Sequence, residues 1–124
     1  MKTFRTLALA VLLAAAAAPA LAAGCADPSA SFNLSGTKWI GIARWDDGET
    51  HTIKLKLRSD CVAEYSYDGQ TYTNGHWLQR GELIEWDTND HYAVYLGNAN
   101  SKSLGGVVYN KSHDHGSWAF LADN

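Results

Sequence analysis

The stretch HTIKLKLR, residues 51–58, alternates apolar and polar side chains from Ile53 onward. In an extended chain Ile53, Leu55 and Leu57 share one face, and the two lysines between them share the other. A strand with this pattern buries one face in a core and exposes the other to water. The stretch therefore predicts a strand in the wall of an all-β protein.

Turn signals punctuate the remaining sequence at short intervals. Gaps of about 9 to 14 residues separate them, which is typical of antiparallel sandwiches and barrels. After the first 24 residues, no segment carries apolar residues at the 3.6-residue spacing of a long helix. The signals are Asp47-Gly48, Ser59-Asp60, Asp68-Gly69, Arg80-Gly81, Asn89-Asp90, residues 98–100 and residues 111–114. The eight strands predicted between them span residues 37–45, 51–58, 62–67, 72–79, 82–86, 92–97, 104–110 and 117–121.

These short strands predict an eight-stranded antiparallel up-and-down β-barrel, with a β-sandwich as the alternative. Closure into a barrel leaves no exposed strand edges, which otherwise invite aggregation. Glycines inside strands, as in GHW at residues 75–77 and GSW at residues 116–118, suit the tight curvature of a small barrel. We expect one barrel domain over residues 36–122, preceded by an N-terminal lead-in over residues 23–35.

The segment LSGTKW, residues 34–39, places a glycine and a tryptophan at the start of the first predicted strand. With the barrel pattern from about residue 36 to residue 121, it resembles the small secreted calycin-type barrels, the group that includes lipocalins and avidins. The resemblance implies that Trp39 helps to plug the closed end of a barrel that holds a ligand cavity. It does not imply biotin or any other particular ligand.

Residues 1–22 predict an export signal. Lys2 and Arg5 precede an apolar run of about 12 residues, and Ala20-Leu21-Ala22 has the small residues of a cleavage site. The apolar run is too short to cross a bilayer, and no later segment reaches the roughly 20 apolar residues needed. We therefore expect a periplasmic or secreted protein without a transmembrane segment.

The charge balance bears on the class of partner. The chain has 10 Lys and Arg against 13 Asp and Glu, a net charge of -3. Removal of Lys2 and Arg5 with the leader leaves 8 against 13, a net charge of -5. An acidic domain is unsuited to a phosphate backbone, so we expect no nucleic-acid partner. A small-molecule ligand and a protein partner both fit this composition.

Cys25 and Cys61 are the only cysteines in the sequence. An even count in an exported protein indicates a disulfide, which here would close a loop of about 36 residues. The alternative is that AAGC, residues 22–25, is a lipobox whose cysteine carries a lipid anchor. The disulfide would join the lead-in to a turn of the barrel, whereas the lipid anchor would make Cys25 the first residue of the mature protein.

Aromatic residues are the candidates for ligand binding. Five tryptophans exceed ordinary usage for a mature domain of about 100 residues. Their rings either fill a narrow barrel as core or line a cavity at one mouth, where they would stack on an aromatic, lipidic or sugar-like ligand. An enclosed pocket of about 300 Å³ or more would favour the second interpretation. The candidate ligand-binding residues are Trp39, Tyr65, Trp77, Trp86, Tyr95 and Trp118.

His113 and His115 are weak candidates for a metal site, because two histidines one residue apart share a face of an extended chain. A third ligand would come from His76, Asp90 or His91. The pair lies in a predicted turn, where polar residues are common, so a solvated loop is the simpler interpretation. We therefore assign no metal at this stage.

The sequence does not require an enzyme. It lacks the usual nucleophile-elbow, zinc-protease, Cys-x-x-Cys and phosphate-loop motifs, and we expect no cofactor. The acid–base candidates on predicted strands, Glu64, His76, Glu85 and Asp87, are expected to face solvent. We hypothesise an exported, non-catalytic protein that binds a small amphipathic or aromatic ligand. The alternatives are an envelope protein-interaction or inhibitor module acting through its loops, and a small barrel enzyme of the cyclase or isomerase type.

Overall fold

The structure, a computed structural model, describes residues 24–124, and the predicted signal peptide lies outside the described residues. Between these limits the chain is all-β, and it contains no helix that is long and apolar enough to cross a membrane. The predicted strands are confirmed to within a few residues at each end. They are β1 (Thr37–Trp45), β2 (Thr50–Leu57), β3 (Val62–Tyr67), β4 (Gln70–Arg80), β5 (Leu83–Thr88), β6 (Ala93–Ala99), β7 (Ser103–Asn110) and β8 (His115–Ala122).

The eight strands form a closed antiparallel barrel in chain order. Each strand pairs with the next, and β8 returns to pair with β1, so that Ala43 lies opposite His51 on one side and Trp118 on the other. The predicted up-and-down barrel is thus confirmed. The closed ring of strands excludes the β-sandwich alternative.

The alternation that defined the fold class has the predicted orientation. Ile53, Leu55 and Leu57 on β2 are buried, whereas the lysines between them are exposed. The centre of the barrel is filled by an aromatic cluster, in which Trp86 and Tyr95 stack and Trp118 and Phe120 pack edge-on against each other. The interpretation that tryptophans fill the barrel therefore holds for its middle.

Two facing glycines allow β6 and β7 to approach closely over Trp118. A Cβ atom on Gly97 would lie 2.0 Å from the carbonyl oxygen of Gly105, and one on Gly106 would lie 2.0 Å from that of Leu96. Beside them the indole Nε1 of Trp118 donates to the Val107 carbonyl at 2.9 Å. The absence of side chains at these glycines makes room for this contact between a ring and the barrel wall.

The lead-in packs across one end of the barrel and closes it. Leu34 is buried there, and its backbone N–H donates to the side-chain oxygen of Gln79 at 3.1 Å. The amide nitrogen of Gln79 donates to the carbonyls of Phe32 at 2.9 Å and Gly81 at 3.0 Å. Gln79 is fully buried, and these bonds satisfy its polar atoms. The opposite end of the barrel is left for the functional site.

Candidate functional site

A cavity of about 460 Å³ opens at the end of the barrel opposite the lead-in. It lies inside the four turns that join β1 to β2, β3 to β4, β5 to β6 and β7 to β8. Its volume is in the range of small-molecule sites. We call this end the mouth. The cavity is lined by Trp45, Asp47, Glu49, His51, Tyr65, Tyr67, Tyr72, Asn74, Thr88, Asn89, Tyr92, Ala93, Tyr95, Asn110 and Asp114.

Tyr95 connects the cavity to the aromatic cluster below it. Its ring stacks on Trp86 with centroids 3.9 Å apart and packs edge-on against Trp118. The residue is almost fully buried, and burial raises the pKa of its phenol well above the ordinary range. Within residues 24–124 the phenol makes no hydrogen bond of its own, although Tyr95 lines the cavity. It is therefore available to a polar group of a bound molecule.

A second tyrosine is held in place by a hydrogen-bond network at the mouth. The Tyr65 hydroxyl donates to Asn74 Oδ1 at 2.6 Å and accepts the backbone N–H of Asn89 at 3.0 Å. The register between β3 and β4 shifts between Ala63 and Tyr65, and this irregularity brings Asn74 within reach. Tyr72 stacks on Tyr65 at 5.3 Å. The network fixes one wall of the cavity.

His51 joins two of the mouth turns. Its Nε2 lies 2.6 Å from Glu49 Oε1, and its Nδ1 lies 3.0 Å from Asp68 Oδ1. Its ring also stacks on Tyr67 at 4.4 Å. Burial by itself would lower the pKa of His51, but hydrogen bonds and charge from the two carboxylates outweigh burial and hold the pKa above its ordinary value.

The mouth is acidic. Asp47, Glu49 and Asp114 line the cavity, and no Lys or Arg from the described part of the chain does so. His51 is the one lining group that can carry positive charge, and it is already paired with carboxylates. The potential inside the mouth is therefore negative, which favours cations over anions.

The six predicted ligand-binding residues divide along the barrel axis. Tyr65 and Tyr95 line the cavity, whereas Trp86 lies directly beneath Tyr95 and Trp118 beside it. Trp39 and Trp77 do not line the cavity. Trp39 is buried near the start of β1, and the indole of Trp77 donates to the Arg58 carbonyl in the β2–β3 turn, at the closed end.

Sequence reasoning missed most of the mouth. Tyr67 and Tyr72 flank its turns, and neither is among the six predicted ligand-binding residues. A usable signal was present, because in an antiparallel barrel every second turn lies at the same end. The turns at 46–49, 68–69, 89–92 and 111–114 share the mouth, and residues next to them are cavity candidates.

The potential metal donors that the structure gathers match those that the sequence indicated only in part, since His76 and His91 were possible third ligands and Asp87 was not. His113 and His115 are exposed and belong to no group of three donors in residues 24–124. His76 and His91 instead meet at Asp87. The expectation that Asp87 faces solvent is wrong, because its carboxylate lies against the two imidazoles and is only 3% exposed.

Cys25 and Cys61 lie together at the closed end as free thiols. Cys25 is buried, and burial followed by contact with the Cys61 thiol raises its pKa to about 11. The predicted pair is thus adjacent, and the disulfide itself stays a prediction.

Comparisons of this chain with protein-family models, curated proteins and solved structures found no match.

Proposed function

We propose that this protein is an exported, non-catalytic binding protein that holds a small aromatic or amphipathic molecule, positively charged at one end, in the mouth of its barrel. The observation that carries the proposal is a cavity of about 460 Å³ with tyrosines on its walls and carboxylates at its rim. Such a cavity suits a molecule whose apolar ring is buried and whose charged group stays near water.

Tyrosine and carboxylate side chains recognise organic cations in complementary ways. A cation over a tyrosine face gains about 0.5 to 2 kcal/mol, and more where water is excluded. The lining tyrosines that are at least partly exposed, Tyr67, Tyr72 and Tyr92, can provide such faces. Asp47 and Asp114 lie among the same lining residues. The free phenol of Tyr95 adds one hydrogen bond deep in the site. Together these groups would orient the ring inward and the charge outward.

The same cavity bears on the two alternative functions, a protein-interaction module and a small barrel enzyme. A protein-interaction or inhibitor module working through its loops needs no lined interior, and a cavity walled by tyrosines favours a ligand instead. A cyclase or isomerase would need an acid–base pair beside the bound ring. Both carboxylate partners of His51 are engaged in ion pairs at the rim, which suits a structural role better.

Export remains part of the proposal. The contact of the Cys25 and Cys61 thiols supports a disulfide-bonded form in a periplasmic or extracellular setting. The lipid-anchored alternative is less favoured, because the Cys25 side chain is buried at the closed end and a lipid on its sulfur would have to leave that packing.

The experiment that tests the proposal compares three probes of similar size and different charge: phenethylamine, phenethyl alcohol and 3-phenylpropionate. Binding is followed by tryptophan fluorescence, since Trp45 lines the cavity and Trp86 stacks under Tyr95. We expect the amine to bind more tightly than the alcohol, and the alcohol more tightly than the acid. Silence with all three and with a wider panel of aromatic amines, or the reverse order, would refute the proposal.

Two tyrosines of similar exposure supply matched variants. Tyr92 lines the mouth and is 37% exposed, whereas Tyr109 does not line it and is 42% exposed. Tyr92→Ala should weaken amine binding by about fivefold, the loss of roughly 1 kcal/mol of cation–π and contact energy. Tyr109→Ala should leave it unchanged. Equal losses in the two variants would place the amine outside the mouth.

A further inference from the structure

We propose that His76, Asp87 and His91 form a binding site for a divalent ion of the zinc, copper or nickel type on the outer wall of the barrel. His76 comes from β4, Asp87 from β5 and His91 from the turn between β5 and β6. The site is separate from the cavity, and the proposal goes beyond the proposed ligand binding.

The three side chains are already arranged around a common point. The Nδ1 atoms of His76 and His91 lie 3.3 and 2.9 Å from the two carboxylate oxygens of Asp87. Potential ligand atoms of the three residues all lie within 4.8 Å of one another. Ligands on one zinc ion, at bonds of about 2 Å, stand about 3 to 4 Å apart. An ion could therefore be bound with small side-chain adjustments.

No Lys or Arg of the described residues forms an ion pair with the buried carboxylate of Asp87. Asp87 is 3% exposed, and the partners within ion-pair distance in residues 24–124 are the two histidines. Its Oδ1 also accepts the backbone N–H groups of His76 and His91, each at 3.3 Å. A buried charge is costly without a partner. A bound dication would supply that partner.

Two features favour a metal ion over a simple pair of hydrogen bonds. The imidazole rings stack face to face, with centroids 5.0 Å apart and an angle of 19° between their planes, and each ring places its Nδ1 near one carboxylate oxygen. The histidine side chains are 51% and 60% exposed, which leaves room for water as further ligands. Two imidazoles and one carboxylate are a donor set that zinc, copper and nickel accept.

The test measures binding of Zn²⁺, Cu²⁺ and Ni²⁺ to the purified, tag-free protein by titration calorimetry. We expect one ion per chain for at least one of these metals. At a hundredfold excess over its Kd, this ion should raise the melting temperature by about 5 °C or more. His76→Ala and His91→Ala should each weaken binding at least about tenfold.

The matched controls are His113→Ala and His115→Ala, which remove exposed histidines that lie outside the cluster. These two variants should bind the ion as the wild type does. Each cluster variant is compared with itself in the presence and absence of metal, so that a loss of stability from removing a partner of Asp87 is separated from the loss of the metal-dependent shift. Absence of binding for all three ions, or binding that survives both cluster variants, would overturn the proposal. Loss of binding only in the controls would place the metal at the β7–β8 turn instead.

Discussion

At the scale of single residues, the shape of the mouth depends on two side chains, His51 and Tyr95, that each link two parts of the barrel. His51 contacts one carboxylate in the β1–β2 turn and another in the β3–β4 turn, so a single imidazole ties two loops together. Tyr95 links the aromatic cluster to the cavity along the barrel axis, because one face of its ring lies on Trp86 while its phenol reaches the cavity. Such residues link the shape of the site to the stability of the barrel.

The His51 contacts predict a pH-dependent stability. The folded-state pKa of His51 is raised above its ordinary value of 6.5. Its stabilising contribution is therefore complete below the unfolded value and is lost as the pH rises through the folded value. We expect the stability difference between wild type and His51→Gln to shrink by about 1 kcal/mol between about pH 5 and about pH 8. Urea unfolding at the two pH values measures it.

The exposed His115 provides the control for this measurement. A His115→Gln variant should follow the wild type across the same range of pH. If the His51 variant instead kept a constant stability difference at both pH values, the two ion pairs would not form in solution.

At the scale of strands and turns, local alternation predicts which face of a strand is buried. It succeeded on β2 because every apolar side chain there faces the interior. Alternation cannot predict which outward-facing side chains are covered by neighbouring side chains. Asp87 is such a case, because His76 and His91 lie against its carboxylate. Nor did it indicate the shift in β4 that brings Asn74 to Tyr65, since such a shift depends on pairing between strands.

The position of a residue along its strand proved as informative as its facing. Trp39 and Trp77 are buried in the barrel, as expected of predicted ligand-binding residues, yet both lie toward the closed end. Aromatic character alone cannot distinguish a ring that fills the interior from one that lines a cavity. The distance of a residue from the mouth turns would have made that distinction for Tyr67 and Tyr72.

The cysteine pair leads to a prediction about the link between the lead-in and the β2–β3 turn. Oxidation of Cys25 and Cys61 would close a loop of about 36 residues and stabilise the fold by about 3 to 4 kcal/mol. Because burial raises the pKa of Cys25 to about 11, the Cys25 side chain itself carries little thiolate at neutral pH. Denaturant midpoints with and without reductant, on protein from an oxidising compartment, measure the effect.

A Cys61→Ser variant is the control for the redox experiment, and its midpoint should not respond to reductant. Two titratable thiols per chain in the unreduced, unfolded wild type would show that the bond does not form.

At the scale of the whole molecule, the closed ring makes the β1–β8 pairing as important as any hairpin. This seam joins the first and last strands, from Trp39 opposite Ala122 to Trp45 opposite Gly116. No strand among the described residues is left with an open edge, so the barrel should open as a unit rather than fray from one side.

Amide hydrogen exchange tests this cooperativity. Ladder amides of β1 and β8 should be protected to within about one order of magnitude of those in the β6–β7 pair. Protection of the seam that is lower by several orders of magnitude would indicate that the barrel opens there first.

The first and last described residues lie at the closed end of the barrel, opposite the mouth. The lead-in contacts Gln79 there, and the backbone N–H of Asp123 donates to the Lys38 carbonyl near the start of β1. A tether attached at either terminus, whether a natural anchor or a laboratory linker to a sensor surface, would thus leave the entrance pointing away from the support. A ligand of the proposed kind would reach an immobilised copy as freely as one in solution.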